Sequence, residues 1–281
     1  MILTLPINNI PAMASGGLVT FTLPIGVRHH GFSLFLTSNG SATAANSTTV
    51  SRVYVNIDST LLINWSWTSV YNYYTRKNYS ATTGEIPIFF TDPALAGLRN
   101  WAAGSIDAKQ NISSIQVQVQ LGTISTPGMT GAYHFDNVPN RRRAPGWTKA
   151  NPVWNYFNTP IKKYEQVENL PASGAYDITD VAPTYPLDTL TLFGIGGNIT
   201  ASTLLQLDTV PVFQGTPSAI AQRILQYGII TPTGTIVIPF TYDRQSPRSA
   251  ARFSTIDWNV TNASTAAIAA GLTIEAQLPT I

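Results

Sequence analysis

The chain carries much of its sequence twice. Residues 84–121 read GEIPIFFTDPALAGLRNWAAGSIDAKQNISSIQVQVQL, and residues 234–278 read GTIVIPFTYDRQSPRSAARFSTIDWNVTNASTAAIAAGLTIEAQL. In both, a Gly opens an apolar run containing a Pro and one or two Phe. An Asp follows, then a small-residue segment with an Arg, and last an alternating strand ending in Gln-Leu. Two earlier blocks repeat in the same order. Asn9-Ile10-Pro11-Ala12 with Ser15-Gly16 returns as Asn169-Leu170-Pro171-Ala172 with Ser173-Gly174, and Val53-Tyr54-Val55-Asn56-Ile57-Asp58 returns as Leu204-Leu205-Gln206-Leu207-Asp208. Three matched blocks in one order mark a tandem duplication. The unit is about 150 residues, too long for a solenoid repeat, so each copy is expected to be a domain-sized module.

Within each copy the dominant period is two. Leu18–Leu23 and Thr273–Leu278 place apolar residues at nearly alternate positions, and Ile115-Gln116-Val117-Gln118-Val119-Gln120-Leu121 alternates without fault. Such a run is a half-buried strand, with Gln turned to water or to a neighbour. Clusters of Gly, Pro, Asn and Ser break the chain every ten residues or so, a spacing that suits a sandwich or jelly roll. Helical signals are few. Ser66–Lys77 and Thr216–Tyr227 occupy matching places in the two copies, and Thr216-Pro217 reads as an N-cap followed by Pro in the first turn. Asp92-Pro93 opens a further short helical segment.

Composition then limits the function classes. Only 11% of the 281 residues are charged, against about a quarter in an ordinary globular protein. Surfaces covered by other protein are depleted in charge, so extensive assembly is expected. A net charge of +2 is too small for a general nucleic-acid binder, and no direct nucleic-acid contact is expected. The absence of cysteine excludes disulfides, thiol nucleophiles and thiolate metal sites. The segment Met1–Pro6 lacks the basic and apolar regions of a signal peptide, and no run is apolar for about 20 residues. Synthesis in the cytosol is the expectation.

The ordered blocks NxIPA with SGG, VxVNID before a helix, GEIPIFFTDP and a Gln-rich strand, all repeated, resemble the double jelly-roll major capsid proteins of tailless, membrane-containing bacterial viruses. Ile7-Asn8-Asn9-Ile10-Pro11-Ala12 followed by Thr22-Leu23-Pro24-Ile25-Gly26 looks most like the corticovirus type. The resemblance implies an all-β fold of two tandem eight-stranded jelly rolls with a few short helices. The stretch 126–160, rich in Pro, Asn, Arg and Trp, reads as the connection between the copies, with the first jelly roll at residues 1–125 and the second at 161–281. The resemblance further implies a homotrimer forming a pseudo-hexagonal capsomer, contacts with neighbouring capsomers and with minor capsid proteins at the vertices, and an icosahedral shell over an internal lipid membrane. No enzyme activity and no cofactor belong to that role.

Candidate sites fall mostly outside catalytic patterns. His29-His30 and the distant His134 lack the HxH-plus-carboxylate spacing of a jelly-roll metal site, which leaves them as loop or interface residues. Asp92 and Asp243 recur at equivalent places, as do Asp58 and Asp208. Paired carboxylates serve glycosidases when about 5–10 Å apart, but one per repeat argues for capping of a turn or helix. No GxSxG elbow is present. Trp65 and Trp67 offer either a sugar-stacking pair or core and subunit contacts. That first option is the alternative function, a carbohydrate- or receptor-binding module of a viral spike or fibre. Asn-x-Ser/Thr triplets, as at Asn46 and Asn259, reflect a polar surface rather than glycosylation. Lys162-Lys163 is expected on a solvated strand face. The strongest local signal is Arg141-Arg142-Arg143 with Trp147 and Lys149. It reads either as an anchor forking onto a neighbouring subunit's carboxylates or as a contact for lipid headgroups.

Overall fold

The computed structural model describes residues 2–91, 104–108, 112–137, 161–179, 181, 187–240 and 255–277. In chain order the elements are β1 (Leu3–Pro6), β2 (Leu18–Leu23), β3 (Arg28–Ser38), β4 (Ser41–Ala42), β5 (Val50–Ile57), β6 (Thr60–Ser66) and α1 (Trp67–Arg76). Then come β7 (Glu85–Phe89), β8 (Ile106–Asp107), β9 (Ile115–Leu121) and β10 (Pro127–Asp136). The second half holds β11 (Ile161–Leu170), β12 (Gly174–Ile178), β13 (Leu187–Phe193), β14 (Thr203–Leu207), β15 (Val210–Gly215), α2 (Pro217–Leu225), β16 (Thr235–Pro239), β17 (Ile256–Asn262) and β18 (Ile268–Gln277).

The chain divides into two compact units. The first takes the described residues up to Val70 and from Ala81 to 137. The second takes Tyr71–Ser80 and the described residues from Ile161 onward. In the first unit β10 lies between β1 and β3, and β7, β8 and β4 run end to end along the other edge of β3. Its second sheet has the order β2-β9-β5-β6. In the second unit the sheets are β11-β18-β13-β16 and β12-β17-β14-β15. With the two-residue strands β4 and β8 set aside, each unit has eight strands. In both, the first, eighth, third and sixth make one sheet and the second, seventh, fourth and fifth the other. That is the jelly-roll pairing, formed twice.

Each sheet type has its own sequence signature. β5, β9 and β17 alternate buried and half-buried residues as their period of two dictates, and Gln118 donates to Gln116 at 3.2 Å on the outer face of β9. β7, β13 and β16 are buried along their whole length; β16 reads as a short apolar run, whereas β13 (LDTLTLF) still alternates, with buried Thr opposite its core-facing Leu. The second core is built from Leu190, Leu192, Leu205, Ile238, Trp258 and Leu272 among others, and the Trp258 indole donates to Thr203 Oγ1 at 3.2 Å. In the first, Phe32 meets Phe21 and Phe90 edge-on. Both expected helices form, and Thr216 Oγ1 accepts from the Ala219 amide at 3.3 Å, capping α2.

Three sequence expectations change. The segment assigned to the connection, 126–160, opens with β10, the eighth strand of the first unit, so that module runs to Asp136. PGMTGAYHFD conceals this strand because its alternation is weak and most of its residues are only half-buried. The other changes, at the histidines and at Lys163, are described below. The short helical segment expected at Asp92 lies outside the described residues.

Candidate assembly surface

The turn aspartates at 58 and 208 are structural, as their placement once per repeat implied, but they bond amides 55, 56 and 47 positions away rather than capping the following helix or turn. Asp58 and Asp208 both stand in the left-handed region, at φ 51° and 48°. Asp58 Oδ1 accepts from the Ser113 and Ser114 amides at 2.9 and 2.8 Å, and Asp208 Oδ1 accepts from Thr255 at 2.8 Å. Each carboxylate thus ties the turn after the fourth strand to the residues before the seventh. Asp92 and Asp243 lie outside the described residues.

The histidines do not occupy loops. His29 and His30 sit in β3 at 0% and 3% exposure, because that strand is covered on both faces. His29 Nε2 lies 2.7 Å from the Pro24 carbonyl and His30 Nε2 lies 2.5 Å from Asp136 Oδ2. His134 Nδ1 lies 3.0 Å from Thr4 Oγ1. Burial lowers the pKa of His29, partly countered by the Pro24 carbonyl, and burial lowers that of His134 too. Among the described residues no group of three His, Asp or Glu side chains could hold a metal ion. Trp65 and Trp67 are buried at 1% and 7% exposure, one in β6 and one at the start of α1, so they form core rather than a stacking platform. Arg141, Arg142, Arg143, Trp147 and Lys149 lie outside the described residues.

Lys163 overturns the expectation of a solvated face, being 1% exposed. Its strand pairs with β18, where Lys163 stands opposite Glu275. The C-terminal part of α1 lies over this outer sheet face within the second unit. Arg76 bonds Glu275 and donates to Thr191 Oγ1 at 2.9 Å, while the Lys163 ammonium sits 3.9 Å from the centre of the Tyr73 ring. Burial drives the Lys163 pKa down to about 7, against the pull of Glu275 and with the help of Lys77 and Arg76. Burial also opposes the Arg76 charge, yet Glu275 holds its pKa above the usual arginine value. No local sequence signal marks this cluster, since Arg76 and Glu275 are 199 residues apart.

Exposed apolar side chains are spread over the described residues, as at Leu18, Ile25 and Val167, and two groups of them lie close in sequence. β1 is exposed throughout, with Ile2, Leu3 and Leu5 between 41% and 47%. The segment from β15 through α2 exposes Val210, Val212, Leu225 and Tyr227. Edge strands and apolar patches of this kind are surfaces that another chain covers. Among the described residues no helix is long and apolar enough to cross a membrane.

The two jelly rolls in one chain define the fold as a double jelly roll. Residues 4–134 match the family model of the viral coat protein P2 N-terminal domain. The fold is similar to that of the major capsid protein P2 from bacteriophage PM2, with a TM-score of 0.78 at 14% identity, covering 99% of this chain and 98% of that one. A chain of the Sulfolobus Turreted Icosahedral Virus structure gives a TM-score of 0.65 at 13% identity, covering 98% and 90%. The Faustovirus major capsid protein gives 0.56 at 7% identity, covering 99% and 90%. Identities this low establish shared fold alone. No curated protein matches by sequence.

Proposed function

We infer that this chain is a structural major capsid protein that assembles with its neighbours into capsomers and a viral shell. The observation that carries the reading is the complete repetition of the jelly roll within one chain whose first module matches a viral coat domain model. Three copies of a two-module chain supply six similar walls, enough to tile a hexagonal lattice while each module stays free to differ. The capsomer is accordingly a homotrimer, its shell encloses a lipid membrane and meets minor proteins at the vertices, and assembly takes place in the host cytoplasm. Light scattering across a dilution series tests this. A mass of three chains that persists on dilution is expected, and a stable monomer would overturn the capsomer.

The basic segment Arg141–Arg143 with Trp147 and Lys149 serves in this reading as an inter-subunit anchor. Changing the three arginines to Ala is expected to weaken the oligomer and to leave co-flotation with anionic liposomes unchanged. Loss of flotation with an intact oligomer would assign the segment to lipid instead.

A further inference from the structure

Both modules carry the same irregularity in the sheet that holds their first and last strands. In the first, Phe135 stands opposite His29 and His134 opposite Gly31, which leaves His30 over as a bulge. In the second, Ala276 stands opposite Leu187 and Glu275 opposite Thr189, which leaves Asp188 over in the same way. The two bulges are equivalent, since β3 and β13 are the third strands of their modules and β10 and β18 the last. His29 and His134 therefore take the places of Leu187 and Glu275. The bulge itself does not need histidine, because the second module forms it and has none.

The surroundings of these histidines do not accommodate an added charge. His29 is fully buried. Its Nε2 carries the proton, because the Pro24 carbonyl 2.7 Å away can only accept. Its Nδ1 is buried with no hydrogen-bond partner among the described residues, and the Tyr133 ring lies 5.6 Å away, centre to centre. A proton on Nδ1 creates a buried donor and a buried cation with nothing to receive either. His134 is half-buried, with Nδ1 3.0 Å from Thr4 Oγ1. The described strands beside the pair bring Arg28 and His30 on β3, Tyr133 and Asp136 on β10, Asp107 on β8 and Glu85 on β7, while β1 and β2 bring no titratable group. Asp136 lies against His30, and both Asp136 and Asp107 stand opposite Arg28. Burial lowers the pKa of His29 and of His134, and His30 lowers it further. The Pro24 carbonyl offsets this only in part for His29, as the Glu85 carboxylate does for His134.

We propose that His29 and His134 are an acid-sensitive latch on the last strand of the first module: protonation of the pair releases β10, and β1 with it, from β3. The split falls there because β3 is held along its other edge by β7 and β8. The His30 carbonyl also accepts from the Phe90 and Thr91 amides on that side, at 2.9 and 3.2 Å. β10 has beyond it β1, four residues long and exposed throughout. In the released strands both histidines titrate near 6.5, and in the closed sheet they titrate lower. The open state therefore binds the extra protons as pH falls below about 6.5, and each histidine favours opening by up to about 25-fold between pH 7 and pH 5. The second module, without histidine, stays closed. The latch belongs to the single chain and does not depend on the capsomer.

Hydrogen exchange of the purified full chain at pH 7 and pH 5, with each rate divided by the intrinsic rate at that pH, reads the opening. Protection of the β10 amides is expected to fall at least about tenfold, while protection of the β18 amides changes by less than about threefold. His29→Gln combined with His134→Gln keeps a hydrogen-bonding amide at each place and removes both protonation sites. That variant is expected to hold β10 protection within about threefold over the same range. A native chain whose β10 loses no more protection than β18 overturns the latch, and this comparison needs no variant to fold. The latch is overturned as well if the double variant, with native protection at pH 7, loses β10 protection at pH 5 as fully as the native chain.

Discussion

Burying Lys163 among Tyr73, Arg76, Lys77, Asp188 and Glu275 makes the second unit sensitive to pH on the alkaline side of neutrality. Its pKa is about 7 in the folded chain and near 10.4 when unfolded, so between those values the unfolded state binds the extra proton. Stability therefore rises with pH across that window, by up to about 1.4 kcal/mol per pH unit, and the cost of burying the cation is fully present below it. Lys163→Met is expected to flatten this rise, as read by denaturant unfolding at pH 7 and pH 9. The Arg76–Glu275 pair behaves differently. Arg76→Ala strands a carboxylate that is 2% exposed, and a loss of about 3 kcal/mol is expected in calorimetry. Arg76→Met combined with Glu275→Leu should recover most of it, because an apolar pair of similar volume has no desolvation cost.

At the scale of elements, the glycine that opens each repeated strand is fixed by its backbone. Gly84 has φ 81° and Gly234 has φ 69°, where a side chain costs roughly 1–2 kcal/mol. A Cβ at Gly84 would also lie 2.7 Å from the Leu36 carbonyl and 2.9 Å from that of Thr43, whereas at Gly234 its nearest neighbour is 3.6 Å away. Gly84→Ala is thus expected to lower the melting temperature more than Gly234→Ala. The turn aspartates act at the same scale. Asp58→Ala leaves the Ser113 and Ser114 amides without their acceptor and is expected to cost about 1 kcal/mol. Hydrogen exchange at those two amides checks it, with increased exchange expected there and unchanged exchange in β13. The strands themselves divided by legibility. β2 and β9 were readable because one face meets the core and the other does not; β18 alternates in the same way although α1 residues cover its outer face at Glu275. β10 was not, because half-buried residues of mixed polarity leave no clear period.

For the whole molecule, the tandem repeat is what ties sequence to function. It is legible in the chain alone as three ordered blocks, and with the alternation it determined an all-β fold of two similar modules and the positions of both helices. These are local properties: strand period, turn chemistry and capping depend on residues close in sequence. The tertiary structure alone decided that His29, His30 and Lys163 are buried, that Trp65 and Trp67 belong to the core, and that α1 and α2 differ in cover. Those outcomes depend on what lies across a sheet from each residue. For Arg76 and Glu275, partners at 199 positions' separation, no local pattern in either segment records the other.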